Sequence, residues 1–508
     1  MRTIGLDLAT KGQHRASLGD TRGKVIRRNL KVKTRAVALD HLFNQARGDE
    51  GANQPLRLML EPTGMSWHAV CVYARKQNVE PYLVATPKVH DLRAYYKKHY
   101  KTDQVDSIVL VKIPFVDEET IHPVRLPNAD QLAGQRFFKQ LDRLTGLATA
   151  CKNRIREADR AFWLGQLEEI FSATDYLGPL GRAFRRRFYN PWQVQQAGAA
   201  GLQAFFNRVA SGQYNLELPQ KLWEAAQEVI TIYSDTTGQS SPYLDFDALQ
   251  EELSVELDLL EVYECQIGQA VERVRRLSAK LHPSHSLQTI PGVGFMTEAA
   301  VVFCVVDPER FSQRTFRGFH GLIPGAKQSS QAESKGVKIT KAGPALMKKY
   351  LFLAASVARQ WDVDLARIYY EQMVHKGNHH NQAICACATH LGDRILTILK
   401  EDRAYQRRDV AGNPITSSQA RTIIQTNYTV PEEVRRRKTR QARKEPQERA
   451  ANKKKRESRP RHTRLAEPPQ LGADSPSPPA KSLYLPDDPL STVPETQSDA
   501  LEKLGSDP

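Results

Sequence analysis

The chain has 508 residues, 73 Lys/Arg against 57 Asp/Glu, and a formal charge of +16 at neutral pH. That length accommodates two or three domains with sizeable cores. No apolar run approaches the roughly 20 residues of a membrane span and no signal peptide is visible, so neither a helical membrane protein nor a secreted one is expected.

Residues 3–8 are mostly apolar and end near Asp7, the pattern of a buried strand. Two more short strands are expected over 13–19 and 24–30, split by Gly19, Asp20 and Gly23, with a helix near 35–47. The apolar run 56–60 predicts a strand with Glu61 at its end. Gly64 opens a helix through Lys76, and 82–86 reads as one more strand. Ligands gather at strand ends in open α/β sheets, where Asp7 and Glu61 would sit. Asp103 and Asp106 are three apart and share a face of a helix. Clustered carboxylates hold hard divalent cations, and paired metals activate phosphodiesters. The order is that of an RNase H-like (RuvC-like) α/β nuclease domain. Each acid taken alone also reads as a solvated charge, or Asp103 as a helix N-cap with Asp106 at N3.

Residues 130–170 are expected to be helical, with a basic side made by Arg136, Lys139, Arg143, Lys152, Arg154, Arg156 and Arg160. In 172–245, aromatics alternate with charge: Phe184 to Tyr189, then Trp192, Phe205, Phe206 and Trp223. Such a mixture can stack bases and contact phosphates, or form a small helical core with a basic edge. Residues 246–282 carry a heptad of Leu253, Leu257, Leu260, Glu264, Ile267, Val271, Val274, Ser278 and Leu281. Four-and-three spacing implies a coiled-coil helix pairing within the chain or across a dimer.

The IPGVG segment, Ile290 to Gly294, lies between two helical patterns. Gly292 and Gly294 would let backbone N–H groups approach phosphate, or would simply make a tight interhelical turn. Next comes GLIPGAKQSSQAESKGVKITKAG, with Ser329 and Ser330 followed by Lys335, Lys338, Lys341, Lys348 and Lys349, which could hold a cleaved strand. A serine hydroxyl can attack phosphorus and hold a strand covalently. Six dispersed cysteines suit a reducing compartment, and Cys385 with Cys387 lacks zinc-ligand spacing. Residues 431–508 hold 17 Lys/Arg and 13 Asp/Glu, so +12 of the charge stays on the body. A basic body suits a phosphate-rich partner. The basic tail is expected to be disordered.

LEPTGMSWHAV, VATPKVHDLRAYYKKHYKTDQVDS, LQTIPGVGFMTEAAVVF, DPERF, GLIPGAKQSS and ITKAG resemble, in order, the blocks of the insertion-sequence-110 family of DEDD transposases. These are also described as bridge-RNA-guided recombinases, and the pilin-gene invertases are relatives. The likeness covers about 1–170 and 280–400. It implies that Asp7, Glu61, Asp103 and Asp106 hold metal (Mg2+ or Mn2+) and that Ser329 is the nucleophile. The chain departs from the pattern twice: Ser330 replaces the usual glycine, and Thr10 stands where a lysine is usual. The resemblance further implies donor and target DNA and a guide (bridge) RNA as partners. It also implies a dimer or tetramer, a cytoplasmic, nucleoid-associated location, and contacts to nucleic acid by Arg143, Arg154, Gly292, Gly294, Lys338 and Lys341. The domains expected are an RNase H-like metal-binding domain (1–125), a helical basic RNA- or DNA-binding region (126–245) and a coiled-coil helix (246–282). A mainly α serine domain (283–430) and a disordered tail (431–508) follow. Two rival readings are a metal-dependent Holliday-junction nuclease or an invertase without RNA guide, and a non-catalytic nucleic-acid-binding protein.

Overall fold

The computed structural model describes residues 1–436 apart from 49–54, 63, 97–101, 119–120, 212, 236, 238–240, 324–327, 330–331, 334–338 and 341–342. The tail beyond 436, with its expected disorder, lies outside the described residues.

The N-terminal part is an α/β unit on a mixed five-stranded sheet. Its strands are β1 (Arg2–Asp7), β2 (His14–Gly19), β3 (Val25–Val32), β4 (Leu56–Leu60) and β5 (Val79–Leu83), in the order β3-β2-β1-β4-β5. β1 pairs antiparallel with β2 and parallel with β4, and β4 pairs parallel with β5. Ile4, Leu6, Leu58 and Leu60 are fully buried, as expected of central strands covered on both faces. The last strand runs over 79–83 rather than 82–86. Glu80 and Pro81 interrupt its apolar run, and Pro81 lacks a ladder donor. As the edge strand, β5 tolerates both.

The covering helices are α1 (Ala36–Arg47), α2 (Ser66–Lys76), α3 (Thr86–Tyr96) and α4 (Asp103–Val116). α4 lies directly on β1 and β2. A Cβ at Gly5 would stand 2.1 Å from the Ser107 carbonyl oxygen, and one at Gly19 2.3 Å from Val111 Cγ1. Ser17 Oγ and Ser107 Oγ are 2.8 Å apart in the interface. These contacts set the height of α4, and with it the first-turn residues Asp103 and Asp106.

Two long helices follow the sheet unit, α5 (Ala129–Phe162) and α10 (Phe246–Leu281). They pack antiparallel: Asp130 pairs with Lys280 at one end and Arg154 with Glu256 toward the other. Leu253, Leu257, Leu260, Val274 and Ser278 of the heptad are buried. Its polar break at Glu264 accepts from Lys152 at 2.9 Å and Arg182 at 2.6 Å. The heptad therefore meets a helix of its own chain.

Between them stands a helical lobe of α6 (Gln166–Ile170), α7 (Pro179–Phe188), α8 (Pro191–Ala210) and α9 (Leu218–Tyr233). The helix expected over 130–170 breaks at Leu164 and Gly165, which take left-handed backbone. Of the aromatics that suggested a base-stacking surface, Phe184, Tyr189 and Phe206 are fully buried, and Trp192, Phe205 and Trp223 pack against the same core. Arg185, between them, is also fully buried with Asp159. Its guanidinium bonds that carboxylate and the carbonyls of Tyr176 and Gly181 at 2.7 and 2.8 Å. Tyr176 donates its hydroxyl to the same carboxylate.

The C-terminal part is mainly helical: α11 (Phe295–Cys304), α12 (Gln313–His320), α13 (Ala345–Ala358), α14 (Val363–Tyr370), α15 (His380–Glu401) and α16 (Ser417–Asn427). A two-stranded ribbon, β6 (Gln328–Ser329) and β7 (Ala332–Glu333), lies between α12 and α13. Among the described residues no helix is long and apolar enough to cross a membrane.

Breaking a buried ion pair on one side strands a charge, which costs about 3–5 kcal/mol. Asp159→Ala should therefore lower the unfolding free energy of the full chain by that order, with a matching fall in the urea midpoint. Asp159→Leu combined with Arg185→Met should recover most of the loss. Urea denaturation followed by tryptophan fluorescence checks both, since Trp163 packs on Phe184, the neighbour of Arg185 in the chain.

Candidate active site

Register brings the first two acids together. Leu6 pairs with Leu60 on parallel neighbours, so Asp7 and Glu61 follow at the same level at the ends of β1 and β4. The contact at Gly5 and Gly19 places the first turn of α4 beside them. Neither aspartate of that turn is the N-cap: Thr102 caps α4, accepting from the Val105 amide at 3.3 Å. Asp103 is exposed and Asp106 buried.

The electrostatics register this meeting. The Asp7 carboxyl is pushed up to about 7, first by burial and then by repulsion from Asp103, Asp106 and Glu61, with Arg93 opposing. Four oxygen-donor side chains repelling one another is the donor set a hard divalent cation relieves. The four do not form a finished ligand shell. No group of three or more His, Cys, Asp or Glu stands at metal-holding spacing among the described residues. Asp106 instead accepts from Arg93 Nη1 at 2.8 and 2.9 Å. The chemistry of the donor set fits a metal once Asp106 is released. The sequence reading missed Arg93, which lies in a run of basic and aromatic residues with no signal of its own.

Ser329 is on β6, opposite Ala332 of β7. The ends of its segment are tied at a neck. The Thr340 amide donates to the Ile323 carbonyl at 3.0 Å, and Thr340 Oγ1 to that of Gly321 at 3.2 Å. Gly343, at φ +79°, lies so close to Phe319 that a Cβ would stand 1.9 Å from its carbonyl oxygen. Ser330, Lys335, Lys338 and Lys341 lie outside the described residues. The elements that carry the acids and the helices α12 and α13 that flank the serine segment pack in different hydrophobic cores.

The other expected contacts divide. Arg154 is taken by Glu256 in two bonds of 2.7 Å, Arg160 pairs with Glu168, and Lys349 pairs with Asp142 at 2.7 Å. Acids of α10 and α6 thus neutralise the C-terminal half of the basic side of α5. Arg136, Lys139 and Arg143, on its N-terminal half, are exposed. Gly292, at φ +80°, has a packing role: a Cβ would stand 2.6 Å from the Ala354 carbonyl oxygen of α13. Gly294 is the N-cap of α11 and faces open space.

Two family descriptions match the chain, in the order of its two halves. Residues 4–161 match the transposase family of the IS110 DEDD type, and residues 284–371 match the "Transposase IS116/IS110/IS902 family". The two matches support an IS110-family DEDD transposase, an enzyme of insertion-sequence transposition that acts on DNA. The DEDD class is one of divalent-metal dependence. No curated protein matches the chain.

A carboxyl raised from 3.8 to about 7 binds its proton more tightly in the fold than in the unfolded chain. Stability is therefore lost progressively as pH rises from about 4 through 7. In chelator at pH 8, Asp7→Asn should melt a few degrees above wild type, and the difference should vanish below pH 4. Mg2+ should raise the wild-type melting temperature and leave that of the variant unchanged. Differential scanning calorimetry across pH measures each.

Proposed function

We propose that the chain cuts and rejoins DNA strands through Ser329, assisted by divalent metal, Mg2+ or Mn2+, on Asp7, Glu61, Asp103 and Asp106. The observation that carries this reading is the register that sets Asp7 and Glu61 level at the ends of β1 and β4, beside a carboxyl at Asp7 raised first by burial and then by Asp103, Asp106 and Glu61. The sheet order β3-β2-β1-β4-β5, with acids at the ends of β1 and β4, supports an RNase H-like domain. The cation, when bound, polarises the target phosphodiester and lowers the pKa of the attacking hydroxyl. Ser329 Oγ forms a bond to phosphorus while the DNA ester bond breaks, leaving phosphoserine and a free strand hydroxyl. A strand hydroxyl later displaces the serine and reseals the DNA, conserving the ester bond. The neck at Gly321, Thr340 and Gly343 holds the two ends of the serine segment together for this attack.

Because the elements that carry the acids and those that flank the serine pack in different cores, a complete site would draw acids and serine from different protomers of a dimer or tetramer. The same separation supports the second reading, a Holliday-junction nuclease in which the acids activate water and Ser329 is structural. Guide-RNA binding is proposed from family likeness. The exposed Arg136, Lys139 and Arg143 face of α5 is the surface that supports it.

Denaturing electrophoresis of protein with labelled donor DNA, followed by peptide mapping, separates the readings. Ser329→Ala should eliminate the covalent adduct and lower recombination by on the order of a thousandfold or more. Ser330→Ala should act more mildly, and substituting any of the four acids by alanine should abolish cleavage. An adduct on Ser330 would move the nucleophile by one residue. Cleavage by wild type without any adduct would favour the nuclease.

A further inference from the structure

Among the described residues, Arg93 opposes the charge of the other three acids at Asp7, and the chemistry just described does not use it. It lies on α3, and its Nη1 reaches both oxygens of Asp106. The pair is largely withdrawn from water, with side chains 14% and 12% exposed. Two further contacts join α3 to α4: Lys88 pairs with Asp117 at 2.7 Å, and Lys112 sits 4.0 Å over the Tyr96 ring.

A carboxylate that accepts on both oxygens from one guanidinium presents fewer lone pairs to anything else. Among the described residues no three acids stand at metal-holding spacing, and Asp106 is held by Arg93 in that arrangement. The charges give the same result. Among the described residues, four carboxylates, once all are ionised, against one guanidinium leave three negative charges. Two divalent ions bring four positive ones, so a loaded site that keeps Arg93 has a single positive charge. A phosphodiester linkage has the single negative charge that matches it, and a guanidinium freed from Asp106 is suited to phosphate oxygens.

We propose that Arg93 is a phosphate-positioning residue with two successive partners: Asp106 before the cations arrive, and the DNA phosphodiester once Asp106 has turned to metal. This rests on the four-acid reading above. In the first state Arg93 keeps Asp106 from ligating, so metal binds more weakly than the bare acids would allow. In the second it steadies the phosphate that Ser329, or water, attacks.

The test is isothermal titration of the full chain with MnCl2, beside cleavage of labelled DNA at saturating Mn2+. The proteins are wild type, Arg93→Gln, and Arg93→Met, which keeps the apolar stem if the glutamine variant folds poorly. Freed of the competing pair, both variants should bind Mn2+ about tenfold tighter, because the competent fraction of Asp106 rises. Both should nevertheless cleave at least tenfold more slowly, with the loss concentrated in KM for DNA. Unchanged or weaker Mn2+ binding in variants that melt like wild type would overturn the exchange and leave Arg93 a structural pair. Wild-type cleavage in either variant would overturn the phosphate role. Failure of wild type to take up Mn2+, or an equal titration in Asp103→Asn, would instead remove the four-acid reading and this proposal with it.

Discussion

The absence of a side chain at Gly5 is the constraint on which the N-terminal half depends. β1 and α4 approach until the position a Cβ would take lies 2.1 Å from the Ser107 carbonyl. Any larger residue must lift the helix, and the core is close-packed, so the shift would pass along α4. α4 begins at Asp103, so its height decides whether its acids reach the level of Asp7 and Glu61. The hydroxyl pair Ser17 and Ser107 then fixes the rotation of the helix on the sheet. Strand register sets one pair of acids and a backbone contact sets the other.

Bringing like charges together is unfavourable, and the fold moderates it unevenly. Asp106 is compensated by Arg93, while Asp7 is driven up to about 7. The protein therefore stores part of its folding free energy as repulsion that only a cation or a proton relieves. The helical lobe solves a similar problem differently. Asp159 is surrounded by donors from Arg185 and Tyr176, so its burial is matched bond by bond. The first arrangement favours binding and the second favours rigidity.

Much of this was legible. The four N-terminal strands from 3 to 60 follow alternation and apolar runs closely, and the DEDD and serine blocks carried the family resemblance that the matches at 4–161 and 284–371 support. The misreadings of charged residues share one cause, partners distant in sequence. Arg154 looked like a free cation because Glu256 lies 102 residues away. The Arg185 run looked like a basic edge because Asp159, 26 residues upstream, is what permits its burial. Arg93 was invisible because its meaning comes from a helix contact. β5 was displaced because Pro81 breaks the apolar pattern but not the edge of the sheet. The sequence grouped the acids as a set, and their incomplete convergence could not be inferred from spacing.

The antiparallel pairing of α5 and α10 has a consequence for how such chains diversify. A helix of 36 residues extends on the order of 50 Å at 1.5 Å per residue. α5 leads away from the sheet, and α10 returns to within reach of its start, where Lys280 meets Asp130. Gln135 then bonds the Phe303 carbonyl at 2.7 Å, so the two family-matched segments are joined at the base of this hairpin. Everything between them is a round trip. Its far end can lengthen, shorten or exchange its lobe without altering the spacing between the halves at the base. Drift in residues 162–283 is geometrically silent there, which is a physical reason for neither family description to extend across them.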